Sequence, residues 1–167
     1  MTIRPARDAD RRSIWAILEP AFRAGDTYAI DPAIDETAAL AYWCGPGKSV
    51  FVAEDAGAVL GTYYLVANQG GGGAHVCNCG FVTAPKAQGR GVARAMLDHA
   101  LLAARAAGFR AMQFNFVVES NTRAVEVWVR AGFQEVGRLP GAFHHPSLGY
   151  VDALVMWTDL VAAPGRP

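Results

Sequence analysis

Three things are scarce in this 167-residue chain, and each scarcity closes off a class of protein. Cysteine occurs only at Cys44, Cys77 and Cys79, an odd number without framework spacing, which argues against a disulfide-stapled secreted scaffold. Net charge is missing, because 15 Lys and Arg balance 15 Asp and Glu. No overall field therefore draws the chain to nucleic acid or to an anionic membrane, although a local basic patch can still hold a small anion. Long apolar runs are missing as well. No stretch approaches the ~20 residues that span a bilayer, and Met1 to Arg12 is charged where a secretory leader is apolar. What is present is apolar material: 52% of the residues are hydrophobic and 18% charged, enough to bury one continuous core. The expectation is a soluble cytoplasmic protein with one domain over residues 1–160 and a short tail over 161–167, binding neither nucleic acid nor membrane.

The periodicities predict a mixed α/β chain. Thr2 to Ala6 reads as an opening strand, and Asp8 or Asp10 caps a helix whose Ile14, Ile17, Leu18, Ala21 and Phe22 share a stripe. A loop over residues 23–32 precedes a shorter helix from Asp35 to Trp43. Ser49 to Ala53 and Val59 to Ala67 read as strands joined by a turn at Asp55 to Gly57, and Gly70 to Gly73 as a connector. A strand from Ala74 to Thr83 leads to a helix from about Gly91 to Ala107. Arg110 to Glu119 alternates, with Met112, Phe114, Phe116 and Val118 on one face and Gln113, Asn115, Val117 and Glu119 on the other. Asn121 to Ala131 is helical. Two closing strands, Gln134 to Leu139 and Tyr150 to Thr158, flank a Pro-, Gly- and His-rich segment from Pro140 to Gly149.

The densest chemistry lies between Phe81 and Arg94, where a strand ends, glycines come next and a helix starts. Gly89 and Gly91 permit a tight turn that aims several N–H groups at one point on a helix N-terminus, a site for phosphate. Arg90 and Arg94 stand one helical turn apart and can add charge-assisted bonds. A P-loop is excluded because the turn carries no Gly-Lys-Ser/Thr, and a dinucleotide fingerprint because Arg94 stands where a third small residue is needed. Gln88-Gly-Arg-Gly-Val-Ala93 instead resembles the Gln/Arg-x-x-Gly-x-Gly/Ala signature of the GNAT superfamily of acetyltransferases. Asn121 to Phe133 resembles that superfamily's second signature, Asn-x-x-Ala-x-x-x-Tyr-x-x-x-Gly-Phe.

This resemblance covers nearly the whole chain. It implies a single α/β (α+β) GNAT-fold domain, with a mixed, mostly antiparallel sheet of about seven strands splayed at its centre and about four flanking helices. It also implies acetyl-CoA as donor. The backbone of Phe81, Val82 and Thr83 would pair with the pantetheine arm, and Gln88, Gly89, Arg90, Gly91, Val92, Ala93 and Arg94 would hold the pyrophosphate. Asn121 would bond the pantetheine or the thioester region, with Trp128 also on the cofactor, and a homodimer is the family's common assembly. A narrower set, Asn78 within His75 to Phe81, Asn115 and Asn121, and the stretch from Pro140 to Val155, is similar to the yeast-type L-azetidine-2-carboxylate N-acetyltransferases and their bacterial relatives. In that group asparagines line the active site, which makes Asn78 and Asn115 candidates to hold a small amine.

An acetyl thioester is already activated, so the site needs only to align the amine, stabilise the oxyanion, take a proton and release thiolate. The Val82 N–H is the expected oxyanion donor. Where the family often carries a tyrosine to protonate the thiolate stands Trp128, and an indole N–H is no proton source near neutral pH. Glu119 is one candidate base. Asp26 and Tyr28 supply others; with Thr27 they lie in the loop expected to roof the acceptor pocket and contact the substrate. His75, Cys77, Cys79, His144 and His145 lack zinc-knuckle spacing, and no metal is expected. Three readings stay open: a small-molecule amine N-acetyltransferase, a peptide or protein N-acetyltransferase, and a non-catalytic acyl-CoA sensor.

Overall fold

The computed structural model describes residues 1–161; the rest of the expected tail, residues 162–167, lies outside the described residues. Seven strands form one sheet in the order β1-β2-β3-β4-β5-β7-β6. They are β1 (Thr2–Pro5), β2 (Ser49–Asp55), β3 (Ala58–Ala67), β4 (Val76–Thr83), β5 (Ala111–Val118), β6 (Gln134–His145) and β7 (Gly149–Asp159). The helices are α1 (Arg11–Ala24), α2 (Glu36–Trp43), α3 (Val92–Ala106) and α4 (Thr122–Arg130). Every neighbouring pair is antiparallel except β4 and β5. No helix among the described residues is long and apolar enough to cross a membrane.

Each face of the sheet has its own cover. On one face, Tyr63 shares its hydroxyl with His99 Nδ1 of α3 at 2.6 Å, and a Cβ at Gly61 would meet Met96 and Val92 of α3 at 2.9 to 3.0 Å. On the other face, fully buried Trp43 of α2 donates its Nε1–H to Thr62 Oγ1 at 3.1 Å, and Thr62 donates onward to the Phe51 carbonyl. That buried polar pair is thus satisfied. From Gly61 onward, residues of even number on β3 therefore face α1 and α2, and odd ones face α3.

The splay is set by the parallel pair. β4 and β5 are in register only at Val76↔Ala111 and Cys77↔Met112. Beyond these two positions the strands diverge and open the sheet at its centre.

Two expectations need correction. β5 does not alternate cleanly to its end. Phe114 lies opposite Met156 and Val117 opposite Leu154, so one extra residue bulges between them. A bulge reverses the parity of the residues beyond it, so Phe114 and Val117 share a face and Glu119 no longer shares one with Asn115. The segment from Pro140 to Gly149 is largely strand rather than connector. β6 runs to His145 and pairs with β7 through two irregularities, one of them spanning Leu139 to Phe143. β6 is an edge strand, the position in a sheet that tolerates proline.

Candidate active site

The divergence of β4 from β5 opens a cleft of about 840 Å³ through the sheet. That is the scale of a cofactor or substrate pocket. Its floor is Cys79 to Thr83 of β4, one wall is α4, one end is the turn into α3, and the other end is α1 with the loop after it.

The α3 end is built for an anion. Gly89 and Gly91 have φ of 75° and 76°, left-handed values that glycine adopts without a Cβ clash. The first intrahelical bond runs from the Ala95 N–H to the Gly91 carbonyl at 3.0 Å. The N–H groups of Val92, Ala93 and Arg94 therefore have no acceptor within the helix, and they point along the positive end of its dipole. Gln88, Gly89, Gly91, Val92, Ala93 and Arg94 all line the cleft. Arg90 does not: its guanidinium turns back to Asp55 at 3.6 Å. Arg94 is held by Asp98, one turn along α3, at 2.9 Å. Two arginines that sequence reasoning missed, Arg123 and Arg130 of α4, line the cleft as well.

The middle is apolar. Trp128 packs on Phe81 at 5.2 Å and Phe114 at 5.1 Å between ring centroids, and all three line the cleft. Asn121 lines it too, as the N-cap of α4, its Oδ1 accepting the Ala124 N–H. Its carbonyl oxygen is thus engaged, and its side-chain NH₂ is the group left for a ligand.

Val82 cannot be the oxyanion donor. The Ala84 N–H donates to the Leu60 carbonyl at 2.8 Å, and antiparallel alternation sends the Val82 and Gly80 N–H groups toward β3 in the same way. The groups that point into the splay belong to the odd residues. The Phe81 carbonyl already receives the Tyr28 hydroxyl at 3.0 Å, which leaves the Phe81 and Thr83 N–H groups for a ligand.

At the α1 end, Asp26, Thr27 and Tyr28 of the loop after that helix line the cleft. Tyr28 stacks edge-on against Phe22 and Trp43, and burial pushes its phenol far above the ordinary value. It is a fixed donor to the backbone and no base. Tyr64 and Cys79 also line this end, and neither was a candidate from the sequence. Burial holds the Cys79 thiol well above its usual range, so it stays protonated.

Asn78, Asn115 and Glu119 lie outside the cleft lining. Asn78 sits opposite Val66 on β3, half-buried. Asn115 is exposed; it accepts from Gln113 Nε2 at 2.8 Å and donates to Asn68 Oδ1 at 2.6 Å, reaching across β4. Glu119 is held by Arg138 at 2.6 Å, and Arg138 also grips Glu135 and Asp152. That network ties β5 to the closing hairpin and holds the Glu119 carboxylate outside the cleft lining. Among the described residues no three His, Cys, Asp or Glu cluster as metal ligands.

A sheet splayed between two parallel strands, with a glycine turn and a bare helix N-terminus at one end, defines an acyl-CoA-binding α/β fold. The model of the acetyltransferase (GNAT) family matches residues 11–133, and the chain belongs to that family. The structure of a GCN5-related N-acetyltransferase from Kribbella flavida is similar, with 43% identity, a TM-score of 0.90 and coverage of 95% of this chain and 96% of that one. A putative acetyltransferase from Salmonella typhimurium, solved with acetyl-CoA, shares the fold at 23% identity and a TM-score of 0.85, covering 100% and 98%. The N-acetyltransferase aca1 of Schizosaccharomyces pombe is 33% identical over 103 residues, 58% of this chain and 47% of the relative. The chain thus spans about half the length of that curated relative.

Proposed function

We propose that this acetyltransferase moves the acetyl group of acetyl-CoA to the primary or secondary amine of a small molecule, by direct attack in a ternary complex. The observation that carries the reading is the cleft itself, which runs from the unpaired N–H groups at the start of α3 to Asp26 in the loop after α1. A phosphate-bearing donor suits the first end, and an ammonium suits the second.

In this reading the N–H groups of Val92, Ala93 and Arg94 hold the pyrophosphate, and Arg123 and Arg130 add positive charge for further phosphate. Phe81, Phe114 and Trp128 exclude water around the thioester. The Phe81 N–H, in place of Val82, bonds the acetyl oxygen as charge develops there. The side-chain NH₂ of Asn121 bonds the pantetheine amide. Asp26 holds the incoming ammonium and takes its proton, and the thiolate leaves unaided because a thiol pKa near 8.5 makes it a fair leaving group. An amino or imino acid is the favoured acceptor. Its support is the likeness to the azetidine-2-carboxylate enzymes.

The test is thiol release from acetyl-CoA against separate pools of amino and imino acids, including azetidine-2-carboxylate, and of short peptides. Turnover with the first pool and none with the second is expected. Turnover with peptides alone would overturn the small-molecule reading, and acetyl-CoA binding without turnover on either pool would favour a sensor.

A further inference from the structure

Two tyrosines, Tyr28 and Tyr64, line the α1 end of the cleft. Tyr28 has its hydroxyl engaged, donating to the Phe81 carbonyl. Tyr64 lies directly opposite Gly80 on β4, on the sheet face that looks toward α1 and α2. One edge of its ring and its hydroxyl lie against that glycine. A Cβ at residue 80 would meet Tyr64 Cε1 at 2.5 Å, Cζ at 2.9 Å and the hydroxyl at 3.0 Å. Gly80 is therefore the residue that lets a phenol lie over the β4 backbone, and both residues line the cleft.

The ring is also fixed from behind. Trp43 meets it edge-on at 4.9 Å, and the Lys48 ammonium sits 4.1 Å from its centroid. A cation at that distance over a ring is a favourable contact. Burial first, then the adjacent Tyr42 phenol, pushes the Tyr64 hydroxyl far above its ordinary pKa, so it stays protonated over the whole working range. A pinned, neutral, protonated phenol is a hydrogen-bond donor, neither a general base nor a proton source.

Its place along the cleft indicates what it meets. With phosphate at the start of α3, just beyond the C-terminal end of β4, the acetyl end of the donor runs back along β4 toward the point of divergence. Gly80 lies there, next to Phe81. We propose that Tyr64 is a catalytic residue: its hydroxyl donates to the acetyl carbonyl oxygen and, with the Phe81 N–H, completes a two-donor oxyanion site. When the amine nitrogen forms its bond to the acetyl carbon, the carbonyl electron pair moves onto the oxygen between these donors. It returns as the C–S bond breaks and sulfur leaves as thiolate. The amine's proton goes to the base, and Tyr64 keeps its own. This inference rests on acetyl-CoA lying in the cleft as in the proposed function.

The test needs no acceptor. The probe is acetyl-CoA labelled with ¹³C at the acetyl carbonyl, with binding followed by calorimetry and the carbonyl band by infrared difference spectroscopy. Wild type is expected to bind it with the band shifted to lower frequency. Tyr64→Phe, which keeps the ring and its packing, should bind within about threefold of wild type and lose about half of that shift. Gly80→Ala, which keeps the hydroxyl but displaces the ring, should lose a similar share. With any competent amine, removing one such donor should lower kcat by about 10²-fold. An unchanged carbonyl band in Tyr64→Phe, with acetyl-CoA bound, would overturn the assignment and leave the acetyltransferase reading intact. Failure of wild type to bind acetyl-CoA would overturn both.

Discussion

Replacing Trp128 with phenylalanine is expected to cost stability and to leave chemistry alone. Trp128 is 7% exposed and wedged between Phe81, Phe114 and Phe133, with centroids 5.2, 5.1 and 6.5 Å away. Truncating such a residue to alanine costs about 3–5 kcal/mol. Phenylalanine keeps one six-membered ring against the same neighbours and loses the rest of the indole, so about 1–2 kcal/mol is expected. In a domain of this size each kcal/mol moves Tm by about 2–4 °C, giving a fall of about 2–8 °C by calorimetry. Turnover should change by less than about threefold, and the kcat profile from about pH 6 to 9 should keep its shape, because an indole N–H has no proton to give there. A loss of kcat above about tenfold at unchanged KM for acetyl-CoA would mean that the indole N–H acts in the transition state. That result would refute the assignment of Trp128 as a wall.

Gly91→Ala should weaken acetyl-CoA binding by at least about tenfold while lowering stability by about 1 kcal/mol, since a Cβ there meets nothing and only the left-handed φ of 76° is penalised. Gly57→Ala, at φ 78° in the β2–β3 turn and equally open, is its control: calorimetric titration should show the same stability loss with unchanged binding. For His99, burial beside Tyr63 lowers the folded-state pKa below the ordinary 6.5, so the unfolded chain binds the proton first as pH falls. Stability should therefore be full above about pH 6.5 and decline below it, and urea titrations of His99→Gln should lack that part of the slope.

Much of the site was legible because it is backbone chemistry. Gly89 and Gly91 are needed at a turn that no other residue makes cheaply, and Asn121 is a helix cap whatever else it does, so both announce themselves in one dimension. Two side chains at the α1 end of the cleft were not legible, for a different reason. Tyr64 and Cys79 sit in apolar strands and read as core. One sequence signal pointed to them: Gly80, an isolated glycine inside a strand, marks a close approach by something across the ladder. The assignment of Val82 failed for want of a hydrogen-bond parity. That parity is fixed only by which neighbour strand a residue's N–H meets, and here the Ala84 to Leu60 bond decides it.

The misread positions share a location. The β5 bulge and the opposition of Gly80 to Tyr64 both lie where β4 and β5 part. A strand that loses its neighbour gives up ladder hydrogen bonds, and a bulge beside it gives up more. Neither is favourable for stability alone. What the two departures achieve is chemical. The bulge turns Val117 to the same face as Phe114, so that both line the cleft, while Arg138 holds the Glu119 carboxylate outside it. That keeps a carboxylate from facing the point where negative charge would grow on the acetyl oxygen. The glycine lets a phenol lie where a Cβ would otherwise stand. Local rules thus break where the sheet opens, as expected if the opening is the functional part of the fold.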